Sequence, residues 1–132
     1  MRRPAIALVV ILLGLGLFAG GLAWLLDTPQ PPPGAPHVER LYLGLCATCH
    51  GVDGRGSWRA ALFLVRSGRL AEAARGEHTE QYRFDIIKHG GAPLGRPGMP
   101  AFGASLSDDD IRALVTYIQS LGRVAAAGRA GR

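Results

Sequence analysis

The sequence predicts an all-α protein, a small helical domain preceded by one membrane-spanning helix. Three observations predict it. Residues 5–26, "AIALVVILLGLGLFAGGLAWLL", carry no charge and no amide or hydroxyl side chain. Residues 107–121 read as a capped helix with a single apolar stripe. The flanks of the two cysteines do not alternate as strands, and no βαβ pattern follows them.

The apolar run comes first. As a helix it would be roughly 33 Å long, enough to cross a hydrocarbon core of about 30 Å. Arg2 and Arg3 precede it, and the positive-inside rule keeps that end cytoplasmic. Trp24 stands near the far edge, where indoles favour the interface. A cleavable signal peptide is the alternative, with a weak small-x-small site at Gly21-Leu22-Ala23. The run continues past that site to Leu26, and signal cores are usually about 7 to 15 residues. A retained anchor over residues 1–26 is therefore expected, and under either reading the rest of the chain is exported.

Residues 27–36, "DTPQPPPGAP", hold five prolines. Such a stretch favours extended polyproline geometry and reads as a semi-rigid spacer holding the domain off the membrane. The domain then occupies 37–122 and a flexible basic tail 123–132. The formal net charge of +5 is mostly outside the domain. Without Arg2, Arg3, Arg123, Arg129, Arg132 and Asp27, ten Lys/Arg face nine Asp/Glu. A nucleic-acid partner would need basic residues clustered on the domain itself, so none is expected.

Cys46 and Cys49 are the only cysteines, and His50 follows directly in "LCATCHG". Zinc would want four ligands, and no second cysteine pair or suitably spaced histidines exist. A disulfide oxidoreductase would carry its C-x-x-C after a strand in a βαβ unit, which this chain lacks. Covalent haem attachment uses all three residues: two thiols for thioether bonds to the vinyl groups, and an imidazole beneath the iron.

A second axial ligand could come from Met99, His89 or His78, or the position could be left without one. Met99 sits in "GRPGMPAFG", where Pro97 and Pro100 forbid a helix and stiffen the loop. A rigid loop is what a weak thioether ligand needs, so Met99 is expected and His89 is the alternative. His89 closes "TEQYRFDIIKHGG", a helix capped by Thr79, with Tyr82, Ile86 and His89 on one face and Gly90-Gly91 at its end. A histidine there is favoured by the helix dipole without any ligand role. His78 reads as a solvated loop residue.

In the last helix Ser107 is the N-cap and Asp110 completes a capping box. Ile111, Leu114, Val115 and Ile118 fall on one stripe, and Gly122 is expected to stop the helix. The tail beyond it reads as frayed. Gly54 and Gly56 read as turn glycines.

From about residue 38 to 121 the chain resembles the class I (monohaem) cytochrome c family. Tyr42, four residues before the first cysteine, holds the place of an aromatic that packs on the C-terminal helix. Leu114 and Tyr117 match its Leu-x-x-aromatic motif, and "GMPAF" its methionine-ligand loop. The resemblance implies a small cytochrome c fold of three to five helices around one covalently bound haem c, with His50 and Met99 on the iron. Trp58 and Arg59 are candidates to hydrogen-bond the haem propionates, a surface arginine beside a partly buried tryptophan being the alternative. Two positions depart from the family. Val38 stands where glycine often lets the terminal helices approach, and Ala61 and Leu62 stand where a proline carbonyl commonly accepts from the haem histidine.

The expected function is single-electron transfer by an outer-sphere route between membrane-bound redox proteins, without a small-molecule substrate. The expected place is a bacterial inner membrane, with the haem domain on the periplasmic side. The chain is expected to be no enzyme by itself. The alternatives are a fixed cytochrome c subunit of a larger oxidase, reductase or dehydrogenase, and a haem gas sensor or peroxidase-like protein.

Overall fold

In the computed structural model, which describes residues 2–62, 70 and 78–130, the apolar run forms one long helix, α1 (Arg2–Leu26). Pro4 is tolerated because the first turn of a helix has no partner for its N–H. The most apolar 18-residue window of α1 has a mean hydropathy of 2.6 and no buried residue, and the helix is long and apolar enough to cross a membrane. The linker does not run straight. Gly34, at φ 78°, makes a turn in which Ala35 N–H donates to Pro32 O at 3.0 Å. Ala35 is buried, and its carbonyl accepts from the Arg40 guanidinium.

The domain consists of α2 (His37–Leu45), α3 (Ala47–His50), α4 (Trp58–Leu62), α5 (Glu80–His89), a 3-10 turn (Ala92–Leu94) and α6 (Asp108–Ala130). Among the described residues there is no strand. Both α2 and α5 pack on α6, while α3 packs on α2 and α4. The chain therefore falls into two lobes, α2–α4 and α5 with its following loop, joined through α6.

The apolar stripe of α6 forms the core. Ile111, Leu114, Val115 and Ile118 are all buried, together with Tyr42, Leu43 and Ala47 from the first lobe and Ile87 from α5. Tyr42 meets Tyr117 with ring centroids 5.2 Å apart, and Val38 packs at the edge of this core. Burying a leucine of this kind and then truncating it removes about 2–5 kcal/mol. Leu114→Ala is expected to lower the unfolding free energy by that amount, read from denaturant titration.

Two details differ from the sequence reading. On α5 the buried residue is Ile87, while Ile86 and Tyr82 are only partly covered and His89 is exposed. The face shared by Tyr82, Ile86 and His89 is thus not the one that α5 buries most deeply. Gly122 is buried and does not end α6, which continues to Ala130. A glycine inside a helix costs only about 1 kcal/mol relative to alanine, and the alanines that follow are the best helix formers.

The start of α6 matches expectation. Asp110 N–H donates to Ser107 Oγ at 3.1 Å, and Ser107 N–H reaches back to Asp110 Oδ2 at 3.4 Å. His37 Nε2 lies 2.9 Å from Asp110 Oδ1, and Lys88 Nζ is 2.7 Å from Asp108 Oδ1. Hydrogen bonds from Ser107 and then His37 hold the Asp110 carboxyl below the ordinary carboxylate range, and the Lys88 ammonium does the same for Asp108. A carboxyl depressed in the folded state stabilises above its ordinary value of about 3.9. That stabilisation is lost as pH falls through the depressed value. The melting temperature is expected to drop on acidification below that point, and less steeply in Asp110→Asn than in the native chain.

Candidate haem-attachment site

The two cysteines flank a short turn whose geometry is fixed by its backbone. Cys46 ends α2, its N–H donating to Tyr42 O at 2.9 Å, and also begins α3, where His50 N–H donates to Cys46 O at 2.9 Å. Gly51 then turns the chain at φ 77°. A Cβ there would stand 2.7 Å from Gly56 O, so only glycine fits this turn. The loop folds back under the motif: Gly56 N–H donates to His50 O at 2.7 Å, and Ser57 N–H to Cys49 O at 3.1 Å. Gly54 and Gly56, at φ 71° and 98°, are the turn residues expected. The carbonyls at the end of α3 are thereby satisfied.

The Tyr42 hydroxyl donates to Gly51 O at 2.8 Å, fastening α2 to the residue after the histidine. Burial holds this phenol well above its ordinary pKa, so it stays a donor. The bond was not foreseen in the sequence. The usable signal was that a buried tyrosine needs a partner for its O–H.

Cys46 and Cys49 are free thiols, both half-buried. Burial first, and the neighbouring Cys49 second, push the Cys46 thiol up to about 11. Two unpaired sulfurs with an imidazole at the next position are a donor set that fits a covalently attached haem.

Met99 belongs to a closed loop. Gly91 N–H donates to Met99 O at 2.9 Å, Arg96 N–H to Gly91 O at 2.8 Å, and Met99 N–H to Arg96 O at 3.2 Å. Beyond it, Phe102 and Gly103 N–H groups donate to Ile87 O and Lys88 O, each at 3.0 Å. They satisfy the last carbonyls of α5 and tie the methionine loop to that helix. Gly90 is at φ 79°, and a Cβ there would press on Met99 O and Ala101 N at 3.0 Å. Gly90→Ala is expected to destabilise the domain by about 1–2 kcal/mol through left-handed strain.

Met99 is partly buried and packs against the core, as does Cys46. His78 is exposed and stacks on Tyr82 at 4.3 Å, and His89 is exposed at the end of α5. Trp58 and Arg59 lie against the end of α1. Trp58 stacks on Trp24 with centroids 5.1 Å apart, and Arg59 Nη2 donates to Trp24 O at 3.0 Å. Leu62 is exposed at the end of α4.

Helices gathered on a C-terminal helix, with a C-x-x-C-H turn in one lobe and a methionine loop in the other, make this chain a monohaem class I cytochrome c. The match to known families is more particular. Residues 34–118 match the family described as cytochrome c oxidase, cbb3-type, subunit III, and the chain belongs to it. A relative named cbb3-type cytochrome c oxidase subunit FixPc, from Rhizobium leguminosarum bv. viciae, is 30% identical over 102 residues. The match covers 74% of this chain, and the chain spans about a third (31%) of the relative's length. Membership in the cytochrome c family carries a covalently bound haem c.

Proposed function

We propose that this chain is a membrane-tethered single-electron carrier that serves a membrane-bound oxidase complex as one of its cytochrome c subunits. The observation that carries the reading is the C-x-x-C-H turn at 46–50 inside the stretch matched to the cbb3-type subunit III family. The name of the Rhizobium relative points the same way.

In this reading Cys46 and Cys49 would hold the haem through thioether bonds, and His50 and Met99 would be the side chains that hold its iron. Haem held there supplies reversible one-electron iron chemistry. The chain's own residues do the rest. The Gly51–Ser57 loop and the Tyr42 hydroxyl fix the backbone on either side of His50. The Gly90–Phe102 segment fixes Met99, whose thioether raises the reduction potential relative to a second imidazole. With His50 and Met99 both holding the iron, exogenous ligands would be kept out, which would favour electron transfer over gas sensing or peroxidase chemistry.

Arg2 and Arg3 keep the start of α1 on the cytoplasmic side of the inner membrane, so the haem domain faces the periplasm. Confinement to the membrane raises the effective concentration of membrane-bound partners. A free tethered carrier is the competing arrangement, and the two separate on sizing. Extraction in mild detergent followed by native sizing should recover the haem absorbance with a complex much larger than this chain. A haem peak at the size of the chain and its micelle alone would support the free carrier. Carbon monoxide added to the reduced protein at neutral pH should leave its spectrum unchanged.

A further inference from the structure

Residues 27–36 read as a semi-rigid spacer, and beside it the end of α1 makes direct contacts with the domain. Trp24 lies in the last turn of the helix that can cross a membrane. Trp58 stacks on it at 5.1 Å with ring planes 29° apart. Arg59 donates to the Trp24 carbonyl, one of the four at a helix C-terminus that lack an internal partner. A cation is favoured at that end of the helix. The Arg59 guanidinium also sits 5.6 Å from the Trp58 ring. Indole, guanidinium and helix end thus form one contact joining anchor to domain.

We propose that the 52–62 face of the haem domain docks on the phospholipid interface spanned by α1, with Trp58 beside Trp24 at headgroup depth and Arg59 capping the helix. Trp58 and Trp24 share a depth because their rings touch. The residues around them suit that level. Among the described residues, Val52, Trp58 and Leu62 are 55%, 50% and 61% exposed and present apolar surface on this face. Arg55 and Arg59 stand among them, giving the mixture of indole, aliphatic and guanidinium groups that interfaces favour. A groove lined by Asp27, Pro29, Val52, Trp58 and Arg59 runs between the linker and this face. The occupant is the bilayer interface because the face is continuous with the exit point of the anchor.

The consequence reaches the attachment site. The docked segment is bonded to the C-x-x-C-H turn through Ser57 N–H to Cys49 O and Gly56 N–H to His50 O. Docking therefore sets the height and tilt of that turn above the membrane plane, where a membrane-bound partner must meet it. The proposal rests on α1 spanning the bilayer. An intact mass taken first shows whether α1 is retained, so loss of the anchor is recognised separately from loss of docking.

The test is amide hydrogen exchange on the full haem-loaded chain, in nanodiscs of mixed phosphatidylcholine and phosphatidylglycerol and in detergent micelles. Peptides covering 51–62 should exchange more slowly in nanodiscs than in micelles. Trp24→Ala lies outside the domain and cannot unfold it. In nanodiscs it should speed exchange of 51–62 by roughly three- to tenfold, the range that loss of one aromatic pair gives. Peptides covering 108–121 and the reduction potential should stay as in the native chain. Trp58→Ser should speed the same peptides similarly. Equal protection in nanodiscs and micelles overturns the proposal, and so does a Trp24→Ala variant whose 51–62 peptides exchange at the native rate.

Discussion

Replacing Cys46 and Cys49 together with serine should leave the exported chain without covalent haem and almost absent from the membrane. The reason is in the packing. Tyr42, Leu43 and Ala47 give the first lobe its buried share, and Ile87 gives the second lobe its own, each against α6. The described contacts bring α3 onto α2 and α4 and α5 onto α6. A group covalently fixed at Cys46 and Cys49 and gripped by Met99 would bind the lobes to one another, as structural cofactors do when they bind the native state alone. Single replacements should give intermediate results, with one thioether bond and reduced yield. The measurement is haem-stained denaturing electrophoresis, with an antibody to the tail region reporting total chain. Serine variants that keep the stain at the native level would remove the thiols from the site.

Met99→Ala should abolish the near-infrared band of the ferric protein and lower the reduction potential by roughly 100 mV or more, axial ligands spanning about 0.8 V. The loop should survive the change, because its closure depends on backbone bonds of Gly91, Arg96 and Met99 that alanine also makes. Destabilisation should therefore be small beside the spectral change. The vacated position should then bind carbon monoxide in the reduced state, which the native chain should not. If the band persists in Met99→Ala, the sixth ligand is another residue, and His89→Ala becomes the variant to measure.

How much of this was legible before any coordinates depended on the range of the interaction. The capping box of Ser107 and Asp110, the Thr79 cap and the stripe of Ile111, Leu114, Val115 and Ile118 are local patterns, and the structure shows each of them. The positive-φ glycines at 51, 54, 56 and 90 lie where turns follow helices or the cysteine motif, also a local matter. Which side of α5 faces the core was not legible, because its apolar positions, Tyr82, Phe84, Ile86 and Ile87, do not form a single narrow stripe. Only packing on α6 decides that Ile87 faces inward. The extent of α6 was missed because Gly122 was read as a stop, whereas the alanine-rich sequence beyond it carries the helix onward.

The candidate site divides the same way. Cys46, Cys49 and His50 are contiguous and declare their chemistry by spacing alone. The stiff loop around Met99 was legible through the two prolines that flank it, and the structure closes that loop by backbone bonds. The sequence pointed to Trp58 and Arg59 as propionate candidates and carried no sign of their contact with Trp24. Their contact with Trp24 spans 34 or 35 positions of sequence and depends on how the linker turns at Gly34, which proline content alone does not specify.

The most direct measurement is the mass and spectrum of the full chain purified from a host with an active haem-attachment system. The denatured, acid-acetone-washed protein should retain the mass of the chain plus one haem, and its alkaline pyridine spectrum should be that of a haem joined by two thioether bonds. A chain at its bare mass, with the pigment in the acetone, would contradict the account at its root.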